Sequence, residues 1–374
     1  MQYKLVSPYL FVLGFAGYMS VGLLSFPYVS DRFSLYPQTF LYLGVGLACF
    51  VAGCQLVLPD SRRVYYAITL VLATFFAYQE YHLPGLILPF VAVGVLMAIQ
   101  HANKKWFIPL GVALILSQLV LKGIPALNPE LRQANVNVVF IAGYIFIFLG
   151  LTFMAREWDV RKVGLCFAIT LVLLALFTYR VYVLELILVV FVSLYMLGKI
   201  RIRHIFFSAI PLFLLVVALG YLGVTYQDWK YNALELLLYR SAFTFGVINS
   251  IVQKAGWWGI THGGIWLHFS TSAVIGPYLF GYPCNITSTI MGPMIFDGGI
   301  LELGWMGFFG AGLNTLYRKA LKDRCNLPYY AIVLAIFLMC IDASFFPSIV
   351  LLFFAALYLA SEKKKSEEPH DATL

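Results

Sequence analysis

Three arginines carry the chemistry most readily read from this chain: Arg132 in GIPALNPELRQ, Arg180 in FTYRVYVLELI and Arg240 in YNALELLLYRSAFTFG. A guanidinium is planar, stays charged at any relevant pH and presents a fork of N–H donors matched to phosphate oxygens. Beside apolar segments it is costly unless it snorkels to headgroups, pairs with a carboxylate or receives an anion. Glu130, two residues from Arg132, could be such a partner. Three guanidiniums facing one compartment would suit an anion held at headgroup depth with its tail in the bilayer, and a lipid-linked diphosphate has that form.

Several acids and histidines could move protons. Asp297 follows GPMIF and precedes GGILELG, Glu302 lies five residues on, and Glu185 lies five residues after Arg180. A carboxylate in an apolar setting can serve as a base or as an arginine partner, although Asp at such a position also caps helices. His262 in THGG and His268 in WLHF could each take a proton from a sugar hydroxyl near neutral pH. Neither has the spacing of a metal pair. Thr289, in NITSTIMGPM, is a further polar candidate. The six cysteines show no metal spacing and most fall inside apolar runs, so neither a disulfide nor a metal site is expected.

The elements that must position these residues follow from composition. The chain has 374 residues, 61% hydrophobic and 11% charged, with mean hydropathy +0.87. Soluble domains carry about 25% charged residues, so this is expected to be an all-α polytopic integral membrane protein. Apolar residues come in unbroken runs of helix-spanning length, which excludes a β-barrel. Runs at 8–26, 37–57, 64–80, 83–100, 106–122, 136–155, 163–179, 181–198, 204–224, 296–317, 327–342 and 344–360 give about 12 spans, within a range of 11–13. The chain reads as one transmembrane domain (1–374), with a large outer loop (225–296) inside it and a disordered tail (361–374). The first apolar run reads as a retained helix.

The net charge of +8 is no nucleic-acid footprint, because the basic residues sit in short loops between spans. With this layout 18 of the 25 basic residues fall on one side. The positive-inside rule then places both termini in the cytoplasm. The other 7 are Arg32, Lys122, Arg132, Arg180, Lys230, Arg240 and Lys254, and they sit where insertion does not favour them. Within the outer loop a helical period of 3.6 puts Leu236, Arg240, Phe243, Thr244, Val247 and Ile251 on one face, with Glu235, Asn249, Ser250 and Gln253 away from it. The remainder of the loop, rich in Gly, Pro and Trp, is expected to fold over the membrane surface. Gly299, Gly304, Gly307, Gly310 and Gly312 recur near helical spacing, as residues that let helices approach closely.

The ordered set GIPALNPELR, YRVYVLELI, YRSAFTFGVINSIV, HGG and TSTIMGPMIFDGGILELGWMGFFGAG, over roughly 123–321, resembles the oligosaccharide repeat-unit polymerases, the Wzy-type O-antigen polymerases, and especially their archaeal-looking members. The superfamily also contains the O-antigen ligases. The resemblance implies a GT-C-like glycosyltransferase in the plasma membrane. It would act on the extracytoplasmic side, with polyprenyl-diphosphate-linked oligosaccharides as both donor and acceptor and with no cofactor. Arg132, Arg180 and Arg240 match the family's outer arginines, which would hold the diphosphate and stabilise it as it leaves. Asp297 matches the acidic position opening the late helix, and His262 is the nearest candidate base. The histidine that ligases carry before this motif is absent: Thr287, Ser288 and Thr289 stand there. No DxD-type cluster lies on the outer side, consistent with metal-independent displacement. Membrane lipids and a chain-length regulator or flippase are the partners implied, and nucleic acid is not. A ligase, or a flippase or other transporter of the same lipid-linked glycans, is the alternative.

Overall fold

The computed structural model describes residues 4–81, 103–128, 131, 137–226, 232–268, 271–282, 284, 286–344 and 347–361. The expected span at 83–100, Glu130, Arg132, Lys230 and the tail after residue 361 lie outside them. Among the described residues all regular structure is helical. The helices are α1 (Tyr9–Leu24), α2 (Gln38–Gly53), α3 (Arg62–Tyr81), α4 (Phe107–Lys122), α5 (Val138–Glu157), α6 (Val160–Ala175), α7 (Arg180–Met196), α8 (Ile202–Tyr226), α9 (Ala233–Ala255), α10 (Ser272–Phe280), α11 (Met291–Glu302), α12 (Gly304–Lys322), α13 (Leu327–Met339) and α14 (Pro347–Ala360).

Local chemistry sets several starts. Asn137 Oδ1 accepts from the N–H groups of Val139 and Phe140 to cap α5. Asp159 Oδ1 accepts from Val160 N to cap α6. Asn232 and Glu235 form a reciprocal capping box at α9. Among the described residues two helices, Lys104–Lys122 and Val139–Glu157, are long and apolar enough to cross a membrane, and five other apolar helices are shorter. The exterior is apolar as well: Leu24, Val120, Leu121 and Phe207 are each more than 75% exposed. Such outward apolar surface is costly in water and suits a lipid surround.

Small residues bring the helices together. A Cβ on Gly111 of α4 would stand 2.6 Å from Gly143 O of α5, and one on Gly310 of α12 would stand 2.2 Å from Phe50 O of α2. The backbones themselves are therefore in contact, as the glycine spacing leads one to expect for Gly310. Gly304 differs, having nothing within 4 Å of a built Cβ.

The bundle has two unlike ends. At one, Lys199 Nζ donates to Trp158 O (2.5 Å), Lys319 pairs with Asp60 (2.9 Å), Arg62 donates to Tyr358 (3.2 Å) and Tyr330 donates to Val6 O. This basic end gathers the predicted inner loops, with Val6 and Ala360 both near it. At the opposite end, Ala126 N donates to Leu176 O (3.0 Å), tying the loop after α4 to the turn before α7. Phe140 of α5 packs on Phe177 (centroids 4.5 Å apart).

The outer loop does not lie over the bundle as loose coil. α9 runs across the end opposite the basic one, against the tops of α1 and α2. Ser241 O lies 2.7 Å from a Cβ built on Gly22. Phe245 meets Phe26 edge-on (6.0 Å), and Tyr42 OH donates to Gly256 O (2.6 Å). Asn249, expected on the polar side, is 1% exposed. Its Oδ1 accepts from Tyr36 N (2.8 Å) and Thr39 Oγ1 (2.7 Å), and its Nδ2 donates to Ser34 O. The helix is enclosed on more than one side, so one apolar stripe does not describe it.

The expected helix at 296–317 is two helices. α11 begins at Met291, before Asp297, and breaks at Gly298 and Gly299, whose dihedrals are not helical. α12 begins after Leu303. Gly299 has φ +64°, a conformation that L side chains rarely adopt, and its Cα lies against Trp257, whose carbonyl oxygen is 2.1 Å from a built Cβ. Hydropathy alone reads straight through such a break, because the residues on both sides are apolar.

Candidate functional site

Two polar clusters emerge, one at each end of α9. The first is built around Arg240. Its Nε donates to Asp342 Oδ2 (2.6 Å), and Tyr18 OH donates to Asp342 Oδ1. Thr244, one turn on, exchanges a hydrogen bond with Thr287 (2.7 Å). Asp342 follows α13, 102 residues from Arg240, and nothing local in the sequence pairs the two. The cue would have been a lone carboxylate ending an apolar helix. Arg240 remains half-exposed, its side chain 37% accessible. One edge of the guanidinium is thus fixed by a carboxylate while the rest can meet a ligand.

Arg180 opens α7 at this same end. Thr178, just before it, has φ +58°, so the turn into α7 is tightly held. Glu185, one turn in, is 6% exposed and lies within electrostatic range of Tyr144 and Cys340. Cys340 is two residues from Asp342, so the turns carrying Arg180 and Asp342 adjoin. Leu131 packs back onto Gly123, which has φ +89°, and Leu131 N donates to Asn128 O (3.2 Å). Arg132 and Glu130 themselves lie outside the described residues. Thr289, also expected as a candidate, is fully buried with φ +59°, and its Oγ1 accepts from Met291 N (3.2 Å). It shapes the start of α11.

The second cluster surrounds Asp297, which is 1% exposed. It sits inside α11, past the start of that helix, and does not cap it. Instead its Oδ1 accepts from Thr261 Oγ1, from Gly263 N (2.8 Å) and from Ile265 N (3.2 Å). Its carbonyl accepts from His262 N (3.0 Å), and Phe296 O accepts from Ile260 N (2.7 Å). The THGG loop is thereby tied to α11 by backbone and carboxylate together. His262 is exposed, with φ +46°, a conformation uncommon outside glycine and often seen at functional sites. His268, also exposed, donates its N–H to Ile265 O (3.2 Å) at the end of the same loop.

Beside this loop, where α11 meets α12, lies an open cavity of about 900 Å³ walled by Trp258, His262, Leu301, Glu302, Trp305 and Phe308. Glu302 Oε1 accepts from Trp266 Nε1 (2.5 Å). Its Oε2 is buried, on the side of Gly298 and Asp297.

The structure brings Arg180 and Arg240 to one end and His262, Asp297, His268 and Glu302 to the other. α9 is continuous from Arg240 to Ala255, fifteen residues that at 1.5 Å each span about 22 Å. α11 runs parallel to it, with Thr287 against Thr244, Gly292 near Ile251 and Gly299 against Trp257. The two clusters are thus separated by about 22 Å along α9. That distance depends on the direction of α9, which no spacing in the sequence reveals.

The chain is similar to known proteins over most of its length. Residues 4–354 match the family described as "Putative O-antigen polymerase". An uncharacterized protein of Methanocaldococcus jannaschii is 29% identical over 310 residues, which is 76% of each chain. No solved structure matches the chain.

Proposed function

The chain belongs to the O-antigen polymerase family, and on that premise we propose that it is a membrane glycosyltransferase that joins oligosaccharide repeat units carried on a polyprenyl diphosphate. Its apolar helices and outward apolar surface accord with an integral membrane protein. We take the basic end as cytoplasmic on the 18-to-7 division of basic residues, which puts both termini inside and the arginine cluster at the outer face. The membrane is the plasma membrane, the membrane spans number about 12 in a GT-C-like arrangement, and 225–296 is the extracytoplasmic segment of a single domain.

The observation that carries this reading is the state of Arg240. An arginine oriented through Nε by Asp342, half-exposed beside hydroxyl groups, is set up to receive phosphate oxygens. Arg180 reaches the same end of the bundle, and Arg132 lies outside the described residues. In the reaction, a hydroxyl of the acceptor glycan attacks the donor's anomeric carbon in one inverting step. A new C–O bond forms as the C–O bond to the diphosphate breaks, the hydroxyl proton passes to water at the outer face, and the arginines offset the charge gathering on the departing diphosphate. Asp342 holds Arg240 in place as a positioning residue. We read Asp297 as the anchor of the THGG loop and His262 as part of the distal cavity.

The test is the lipid-linked glycan profile of cells carrying Arg180→Ala, Arg132→Ala or Arg240→Ala. Each substitution should remove long chains while single-unit glycan persists on the outer leaflet. Unchanged chain length in all three rejects the diphosphate clamp. Accumulation of the single unit on the cytoplasmic leaflet would point to a flippase.

A further inference from the structure

We propose that the cavity between α11 and α12 is a subsite for uncharged sugar rings of the lipid-linked glycan, remote from its diphosphate. This rests on the polymerase reading for the identity of the glycan, but the cavity's chemistry stands on its own. Trp258 and Trp305 present flat aromatic surface to the opening. Trp258 is 70% exposed, while Trp305 is braced by Trp266 (5.3 Å) and by Phe308 edge-on (5.6 Å). Aromatic faces accept the C–H surface of a pyranose ring, and a few fixed polar groups then read its hydroxyls. Glu302 supplies that polar group. Trp266 orients one oxygen, and the other turns toward Gly298 and Asp297. A carboxylate in an aromatic cavity is costly and is stabilised by a hydroxyl donor. An acyl tail offers no such donor, which disfavours a lipid occupant.

The charge selects the sugar class. Asp297 lies buried within electrostatic range of Glu302, so negative charge gathers behind one wall of the cavity. The other ionisable side chain on the wall is His262. A uronate or other anionic sugar would be repelled, and a neutral one would not. The cavity also stands at the far end of α9 from Arg240, about 22 Å away along that helix. A single sugar next to the diphosphate does not span that distance, so the site meets rings several residues along an oligosaccharide. It would thus measure the length and neutrality of the repeat unit without touching the reacting bond.

The experiment uses the full chain in lipid nanodiscs, with saturation-transfer NMR to N,N′-diacetylchitobiose as the neutral probe and glucuronate as the charged one. Chitobiose should bind the wild type, and Trp305→Ala should weaken its signal at least fivefold. The isosteric Glu302→Gln should weaken it at least threefold while admitting glucuronate, which the wild type rejects. Arg240→Ala should leave chitobiose binding intact and abolish binding of farnesyl diphosphate. Absence of chitobiose binding to the wild type overturns the subsite. So does binding unaffected by Trp305→Ala and Glu302→Gln, or equal uptake of glucuronate by the wild type. If instead farnesyl diphosphate binding survives Arg240→Ala, the clamp fails while the saccharide result is judged separately.

Discussion

Replacing Asp297 should release the THGG loop, and the size of the effect follows from its hydrogen bonds. One carboxylate oxygen accepts from Thr261 Oγ1, Gly263 N and Ile265 N. Hydrogen bonds to a charged group contribute about 1.5–3 kcal/mol each. In Asp297→Ala the Thr261 hydroxyl and Gly263 N–H can turn to water, since both residues keep some exposure. The amide of Ile265, a residue 1% exposed, cannot, and an orphaned buried donor costs about 1–3 kcal/mol. Together these losses weaken loop closure by about 3–5 kcal/mol. At about 1.4 kcal/mol per decade, amide exchange in residues 259–268 should accelerate at least a hundredfold. Asp297→Asn keeps an acceptor but loses the charge, and should accelerate exchange by about tenfold. Hydrogen–deuterium exchange of the detergent-solubilised protein, followed by mass spectrometry, measures both. Peptides from α4 and α5, which pack on each other through Gly111 and Gly143, should not change and serve as the control. Equal exchange of the loop in wild type and Asp297→Ala would show that the carboxylate does not hold it, and the positioning role would fall.

Gly310→Val should destabilise the contact of α12 with α2, because a Cβ there stands 2.2 Å from Phe50 O; overpacking of this kind costs about 1–3 kcal/mol, read as a lowered Tm in detergent, whereas Gly304→Ala, with open space around it, should leave Tm unchanged. Asn249→Ala should remove the clamp on Ser34, Tyr36 and Thr39 and lower stability by about 2–4 kcal/mol, measured as the shift in a thermal or denaturant midpoint; a shift too small to resolve would show that the clamp adds no stability.

Much of this protein was legible in its residues. Unbroken apolar runs could only become helices, since in lipid a chain must satisfy its own backbone. The observed α2, α4 and α5 follow the expected spans to within a few residues. The division of basic residues set an expectation for the two ends of the bundle, because that bias is written in composition along the chain. The resemblance in residues 123–321 identified the family that the full-length match shows. Arg180 and Arg240 were singled out by charge in apolar surroundings, and both reach the same end.

The rest depended on tertiary structure, for reasons of distance and direction. Arg240 finds Asp342 across 102 residues, and Asp297 finds the THGG loop across more than thirty; pairings of that kind leave no periodic trace. The break at Gly298 and Gly299 hides inside an apolar run and becomes visible only where the backbone of Trp257 presses against it. Above all, the sequence lists arginines, histidines and carboxylates without saying which share a site. The straight course of α9 decides that, holding the arginines at one end and the aromatic, carboxylate-lined cavity at the other.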